Sequence, residues 1–181
     1  MHVFRTQRAR AGFSLVELVV VIGILTVSVS MLTSTLISAS RHAPIQRESA
    51  IASNAARTVL ETMRAEPLDR LFALYNADPD DDPDGAGTAP GPSFAIPGLE
   101  ARATDEDGLP GRIVLPAAGA PLREDANLPE LGMPRDLDAD GAIDSADHSG
   151  NYVLLPVLVR IEWSGATGDR SLLFHTMLAH P

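Results

Sequence analysis

Residues Leu15 to Ile37 read LVELVVVIGILTVSVSMLTSTLI, 23 residues with one charge, Glu17. As a helix, a run of this length crosses a hydrocarbon core about 30 Å thick, so it predicts a membrane-spanning segment. Glu17 lies one helical turn inside it, where a charge costs on the order of 3 kcal/mol by insertion scales and is retained for a function. The preceding residues 1–12 carry Arg5, Arg8 and Arg10 and no acid, which favours a cytoplasmic N-terminus. Arg41 and Arg47 on the far side weaken that asymmetry.

Beyond the apolar run, the chain is strongly acidic. Its 14 basic residues are all arginine, against 24 acids, for a formal charge of −10 over 181 residues. Removing the basic leader makes the remainder more acidic still. Such a body lacks the clustered cations that phosphate binding needs, so no nucleic-acid partner is expected. It suits a solvated surface and hard cations. There is no cysteine, which excludes disulfides, haem attachment and thiolate zinc sites.

Two ordinary readings of the N-terminus fit poorly. A secretory signal peptide cut near Ser38-Ala39-Ser40 needs an apolar region of only about 7–15 residues, and a permanent single-span anchor leaves Glu17 unexplained. The stretch Gly12-Phe13-Ser14-Leu15-Val16-Glu17, followed by Leu18-Val19-Val20-Val21-Ile22, closely resembles the class III signal of type IV prepilins and type II secretion pseudopilins. That resemblance implies a leader, residues 1–12, cut after Gly12 by an aspartyl prepilin peptidase, with N-methylation of the new terminus at Phe13. It also implies a structural subunit of a type IV pilus or secretion filament. Its partners would be the peptidase, other pilin or pseudopilin subunits and an inner-membrane assembly platform. The protein would be single-pass in the inner membrane before cleavage, then part of a filament in the periplasm or on the cell surface. Glycine at position 12 lets the backbone enter the peptidase extended. In a filament the Glu17 carboxylate can pair with the Phe13 amine of a neighbouring subunit, because two buried charges cost far less together than apart. Snorkelling of Glu17 towards headgroups is the local alternative.

The implied fold class is α+β: a long N-terminal helix, transmembrane in its first half (13–40) and amphipathic in its second (41–67), packed on a small antiparallel sheet. Ala52, Ala55/Ala56, Val59/Leu60 and Met63 recur at helical spacing and predict one apolar face. Pro44 predicts a kink or break, and Pro67 a stop. Residues 68–181 form the exposed β-rich domain. Extended pieces are expected at Leu99–Ala103 and Arg112–Leu115. A hairpin is expected from Tyr152–Trp163 and Ser171–Leu178, with Pro156 at an edge or bulge and Trp163 and Phe174 buried against the helix.

Two acidic loops stand out. Asp80-x-Asp82-x-Asp84-Gly85 lacks the later ligands of a calcium loop and reads as a solvated turn. By contrast Asp136–Asp147 (DLDADGAIDSAD) fits the twelve-residue EF-hand-type pattern. Oxygens would come from Asp136, Asp138, Asp140, the Ala142 carbonyl, Asp144 (through water) and Asp147, with Gly141 at the sharp turn and Ile143 as apolar anchor. Clustered carboxylates repel unless a cation neutralises them, and an oxygen cage suits Ca2+. Asp147 replaces the usual glutamate and is too short to reach as a bidentate ligand, which predicts weak affinity. Pro134 and Ser149-Gly150 leave no room for flanking helices, so the loop resembles isolated calcium loops of extracellular modules. A structural staple is expected. The five histidines show no paired metal spacing, and His148, just after the loop, reads as a solvated histidine, with a place behind the calcium ligands as the alternative. No nucleophile or nucleotide-loop motif appears, so no catalysis is expected. The alternative function, from a different class, is a membrane-anchored or secreted calcium-dependent binding module.

Overall fold

The computed structural model describes residues 14–117 and 121–179. Its contacts divide the chain into two compact units, Met1–Ala43 and Pro44–Pro181. Helix α1, Leu15–Ala65, contributes to both, and Pro44 lies inside it. The helix is therefore not terminated at Pro44, where a missing N–H removes only one bond of the ladder.

In the first unit Ser14 starts α1: its hydroxyl oxygen accepts the Val16 N–H at 3.3 Å, satisfying one of the free donors of the first turn. Leu15–Ser38 is long and apolar enough to cross a membrane, with none of it buried within the chain. Six of its hydroxyl side chains, Thr26, Ser28, Ser30, Thr33, Ser34 and Thr35, are made compatible with lipid by folding back on the helix. Thr26 donates to the Ile22 carbonyl at 2.8 Å, Ser28 to Ile24 at 2.8 Å, Ser30 to Thr26 at 2.8 Å, Thr33 to Val29 at 2.9 Å and Thr35 to Met31 at 2.9 Å. No hydroxyl in that set is left to seek water.

In the second unit the last turns of α1 bury Ala52, Ala56, Leu60 and Met63, the predicted face. They pack into one core with Ile113, Leu155, Val157, Val159, Ile161 and Trp163 of the sheet. Pro67 separates α1 from a second helix, α2, Leu68–Tyr75, which buries Leu68, Leu71, Phe72 and Tyr75 at i, i+3, i+4 and i+7. The domain after α1 thus opens on a helix, not a strand.

The sheet is four-stranded and antiparallel in the order β1-β2-β3-β4: β1 Ser93–Phe94, β2 Gly111–Val114, β3 Leu154–Gly165 and β4 Gly168–Ala179. The extended piece expected at Leu99–Ala103 is reduced to a single bridge, Glu100 to Ser164. The hairpin is longer than its alternation implied, since β3 and β4 stay paired to Gly165 and Gly168. β3 also departs from simple alternation: Leu155 to Val159 are all buried, because loops cover the face opposite α1. Pro156 is tolerated in this inner strand because β2 pairs only with Gly111↔Ile161 through Val114↔Leu158. At Pro156 the strand has β4 alone beside it, a local edge. Trp163 is buried as expected, and Phe174 is half-buried against the core.

Between β2 and β3 the chain makes a long irregular excursion with one 3-10 turn at Pro129–Leu131. This excursion carries the acidic loop.

Candidate functional site

Of the N-terminal residues, Gly12 and Phe13 lie outside the described residues. Glu17 sits exposed in the first turn of α1. Ser14 and Glu17 stand as S-x-x-E at the helix start, the spacing of a capping box, and a carboxylate there also faces the positive end of the helix dipole. Ser14 instead caps through the Val16 N–H, one residue short of the Glu17 N–H that a capping box uses. Among the described residues, no hydrogen bond or ion pair engages the Glu17 carboxylate.

The acidic loop is organised by its own backbone. Asp136 accepts the Ala139 N–H at 2.6 Å and the Gly141 N–H at 2.9 Å. Asp138 accepts from Asp140 N–H at 3.1 Å, Asp140 from Ala142 N–H at 2.7 Å and Asp144 from Ala146 N–H at 2.7 Å. These short side-chain turns need the chain to reverse tightly, and Gly141 does so at φ +90. The anchor is not the expected one. Ile143 is 52 % exposed, whereas Leu137 is fully buried and its carbonyl accepts the Val153 and Leu154 N–H groups at 2.8 and 3.1 Å. Leu137 ties the loop to the start of β3.

A neighbouring segment, Leu122–Asp125, is stitched along the loop. Leu122 N–H donates to Asp147 Oδ1 at 3.2 Å, and the Leu122 carbonyl accepts the His148 N–H at 2.9 Å. Asp125 N–H donates to the Asp144 carbonyl at 3.2 Å, and the Glu124 carbonyl accepts the Arg135 N–H at 3.0 Å. This registry drives the Glu124 side chain, 1 % exposed, into the loop. Its Oε1 accepts the Leu137 and Asp138 N–H groups at 2.6 and 3.4 Å, and its Oε2 the Asp144 N–H at 3.3 Å.

Two sets of ligand-capable atoms result, each lying within 4.8 Å of one another: Glu124, Asp136 and Asp138; and Glu124, Asp144 and His148. Of the expected ligands, the structure thus brings Asp136 and Asp138 together in one set and places Asp144 in the other, with Glu124 common to both. Asp140 and Asp147 fall outside both sets, and Ala142 uses its N–H within the loop. Asp147 is engaged with Leu122 and also accepts the Ser149 N–H at 3.0 Å.

His148 is buried, not solvated, at 4 % exposure. Its Nε2 lies 3.1 Å from Asp144 Oδ1 and 3.7 Å from Glu124 Oε2, and its Nδ1 lies 3.3 Å from Asp138 Oδ2. Burial alone lowers its pKa, but the hydrogen bond to Asp144 and the Glu124, Asp138 and Asp144 charges outweigh it and leave the value raised. The Asp144 carboxyl is held below its ordinary value, first by the Ala146 N–H and then by His148.

Glu124 and His148 are the site residues that spacing within the loop does not reveal. Glu124 precedes it by a dozen residues, and His148 follows its last ligand position.

Residues 7–33 match the family described as the prokaryotic N-terminal methylation motif. This is the class III signal of type IV pilins and pseudopilins, a structural and not an enzymatic class. The match spans 27 of the 181 residues and none of the acidic loop. No curated protein and no solved structure gives a significant match to the chain. The motif and the apolar helix together fit a membrane-anchored single-pass protein.

Proposed function

We propose that this chain is a minor pilin or pseudopilin, a structural subunit of a type IV pilus or type II secretion filament. The observation that carries the reading is the methylation motif running directly into Leu15–Ser38, an apolar helix whose only charge is Glu17. Prepilin peptidase cuts after Gly12 and leaves Phe13 as the N-methylated terminus. Before cleavage the protein spans the inner membrane with its N-terminus in the cytoplasm. The assembly platform then draws the helix into a filament, where Glu17 neutralises the Phe13 amine of a neighbour.

Replacing Gly12 with arginine tests the reading. The variant is expected to stay full-length in the membrane fraction on an immunoblot, and a mature-sized band would overturn the proposal. Edman sequencing of the natural product adds a second readout. A methylated Phe13 agrees with the filament subunit, and a start near Arg41 or an intact leader with a secreted or anchored module.

The loop at Asp136–Asp147 is proposed to hold Ca2+ as a structural staple. The gathering of Asp136, Asp138 and Asp144 about Glu124 supports it. Weak sites of extracellular modules work at Kd values of about 10⁻⁴–10⁻³ M, so millimolar Ca2+ is expected to raise the melting midpoint over that in chelator. Equal midpoints would remove the staple and leave the filament reading intact.

A further inference from the structure

We infer that Glu124 is the closing ligand of the Asp136–Asp147 site, in the place that Asp147 leaves, so that the ion joins two separate chain segments. The inference rests on the proposed Ca2+ reading and deepens it. In a loop of this type the twelfth residue supplies a bidentate carboxylate. Asp147 is one methylene shorter than the usual glutamate, and its Oδ1 already accepts the Leu122 and Ser149 N–H groups. Glu124 has the missing methylene and the position. Its two oxygens divide between Leu137/Asp138 on one side and Asp144 on the other, and both sets of mutually close donors share it.

The independent sign of an ion is His148. Its imidazole lies buried among Glu124, Asp138 and Asp144, yet its Nδ1, only 3.3 Å from Asp138 Oδ2, is misaligned with that carboxylate and makes no hydrogen bond. A buried polar atom without a partner is costly, and functional sites are where such atoms survive. Glu124 has no arginine against it among the described residues, and His148 is its nearest cation-capable neighbour. An almost fully buried carboxylate facing three aspartates needs more positive charge than one imidazole supplies. The set Glu124, Asp136 and Asp138 offers carboxylate oxygens alone, and Asp144 adds one more beside Glu124 in the second set, so the ion that fits is hard, and Ca2+ suits that donor chemistry. His148 then braces the cage from behind, one ring nitrogen on Asp144 and the other facing Asp138, as the residues behind metal ligands commonly do.

Calorimetric titration of the full chain in detergent with CaCl2, after metal stripping, tests this with three proteins. Wild type is expected to bind. Glu124→Gln, which keeps an acceptor for the Leu137 N–H, is expected to lose about 10–100-fold in affinity or fall below detection. Asp147→Asn, which keeps the acceptor for Leu122 and Ser149, is expected to bind as wild type does. The chelator melting midpoint of each variant checks its fold. Should Glu124→Gln not fold, Asp144→Asn at the exposed end of the cage carries the same expectation. If Glu124→Gln binds normally, or Asp147→Asn alone loses binding, Glu124 is not the closing ligand. If wild type binds no Ca2+, the calcium reading fails and this one with it. Tight Zn2+ binding that His148→Gln abolishes would replace it with a nitrogen-containing site.

Discussion

At Leu137 and Ile143 two apolar residues of one loop have opposite fates, although the pattern of a calcium loop favours the second. Leu137 is fully buried and its backbone holds the start of β3, whereas Ile143 faces solvent. Leu137→Ala is therefore expected to cost about 2–5 kcal/mol of stability, the range for emptied core sites. Ile143→Ala should stay within about 0.5 kcal/mol, as surface changes do. Urea denaturation measures both, and equal costs would restore Ile143 as the anchor. Glu48 offers a second residue-scale test. Its Oε2 accepts the Trp163 indole N–H at 3.2 Å and its Oε1 the Ala166 N–H at 3.1 Å, linking α1 to the end of the β-hairpin. The Trp163 bond, then the Ala166 N–H, holds the carboxyl below its ordinary value of 4.5. A lowered folded-state pKa means that the contribution is fully present above that value and is lost as pH falls through the lower, folded one. Glu48→Gln should lower the midpoint at pH 7, and its deficit against wild type should shrink as the pH drops below about 4.5. A deficit independent of pH would show that the charge plays no part. Gly165 belongs to the same contact, since a Cβ there would lie 2.6 Å from Glu48 Oε2. Gly165→Ala should displace the carboxylate and shift the emission of the single tryptophan.

Among the elements, those with long periodic patterns were legible in the sequence and the short ones were not. The apolar run and the buried face of α1 are readable because they repeat over many turns, and the β3–β4 hairpin because alternation brackets a Gly-containing turn. α2 has only eight residues, too short to be stable alone, so its existence depends on what it packs against. The same holds for β1 and β2, and for Leu99–Ala103, which alternates weakly and gains one bridge. The site divides in the same way. Asp136, Asp138 and Asp144 were legible as a local motif, but Glu124 joins them through registry between two irregular segments, which no spacing rule encodes. α2 also depends on a distant side chain. The Tyr152 hydroxyl donates to the Leu68 carbonyl and accepts the Phe72 N–H at 3.1 Å, inserting between groups that an α-helix would pair directly. Burial and nearby Asp69 raise the Tyr152 pKa, against the opposing backbone bonds, which keeps the hydroxyl a donor. Tyr152→Phe is expected to cost about 1 kcal/mol, the net worth of a buried hydrogen bond, and to speed hydrogen exchange at the Phe72 amide. Unchanged exchange there would mean that α2 closes its own bond without the tyrosine.

Over the whole molecule, two kinds of surface share one chain. The side chains of Leu15–Ile37 are exposed throughout and need a bilayer or other subunits to cover them. Among the described residues, the buried core draws every member from Ala52 to Leu178. Residues Pro44–Pro181, with their excess of acid, carry what a soluble domain needs: one core, a covered sheet face and a charged exterior. Deleting residues 1–43 should then give a protein that stays monodisperse without detergent and unfolds in one cooperative transition. Its melting midpoint should lie within about 4 °C of the full chain's in detergent, the shift that about 1 kcal/mol produces in a domain of this size. Differential scanning calorimetry and light scattering read both properties. The shortened chain lacks Phe13 and Glu17 and keeps Glu124 and His148, so it separates the two proposals: Ca2+ should still raise its midpoint while incorporation into filaments is lost. Aggregation, or a midpoint many degrees lower, would mean that the membrane half of α1 supports the fold and does not serve assembly alone.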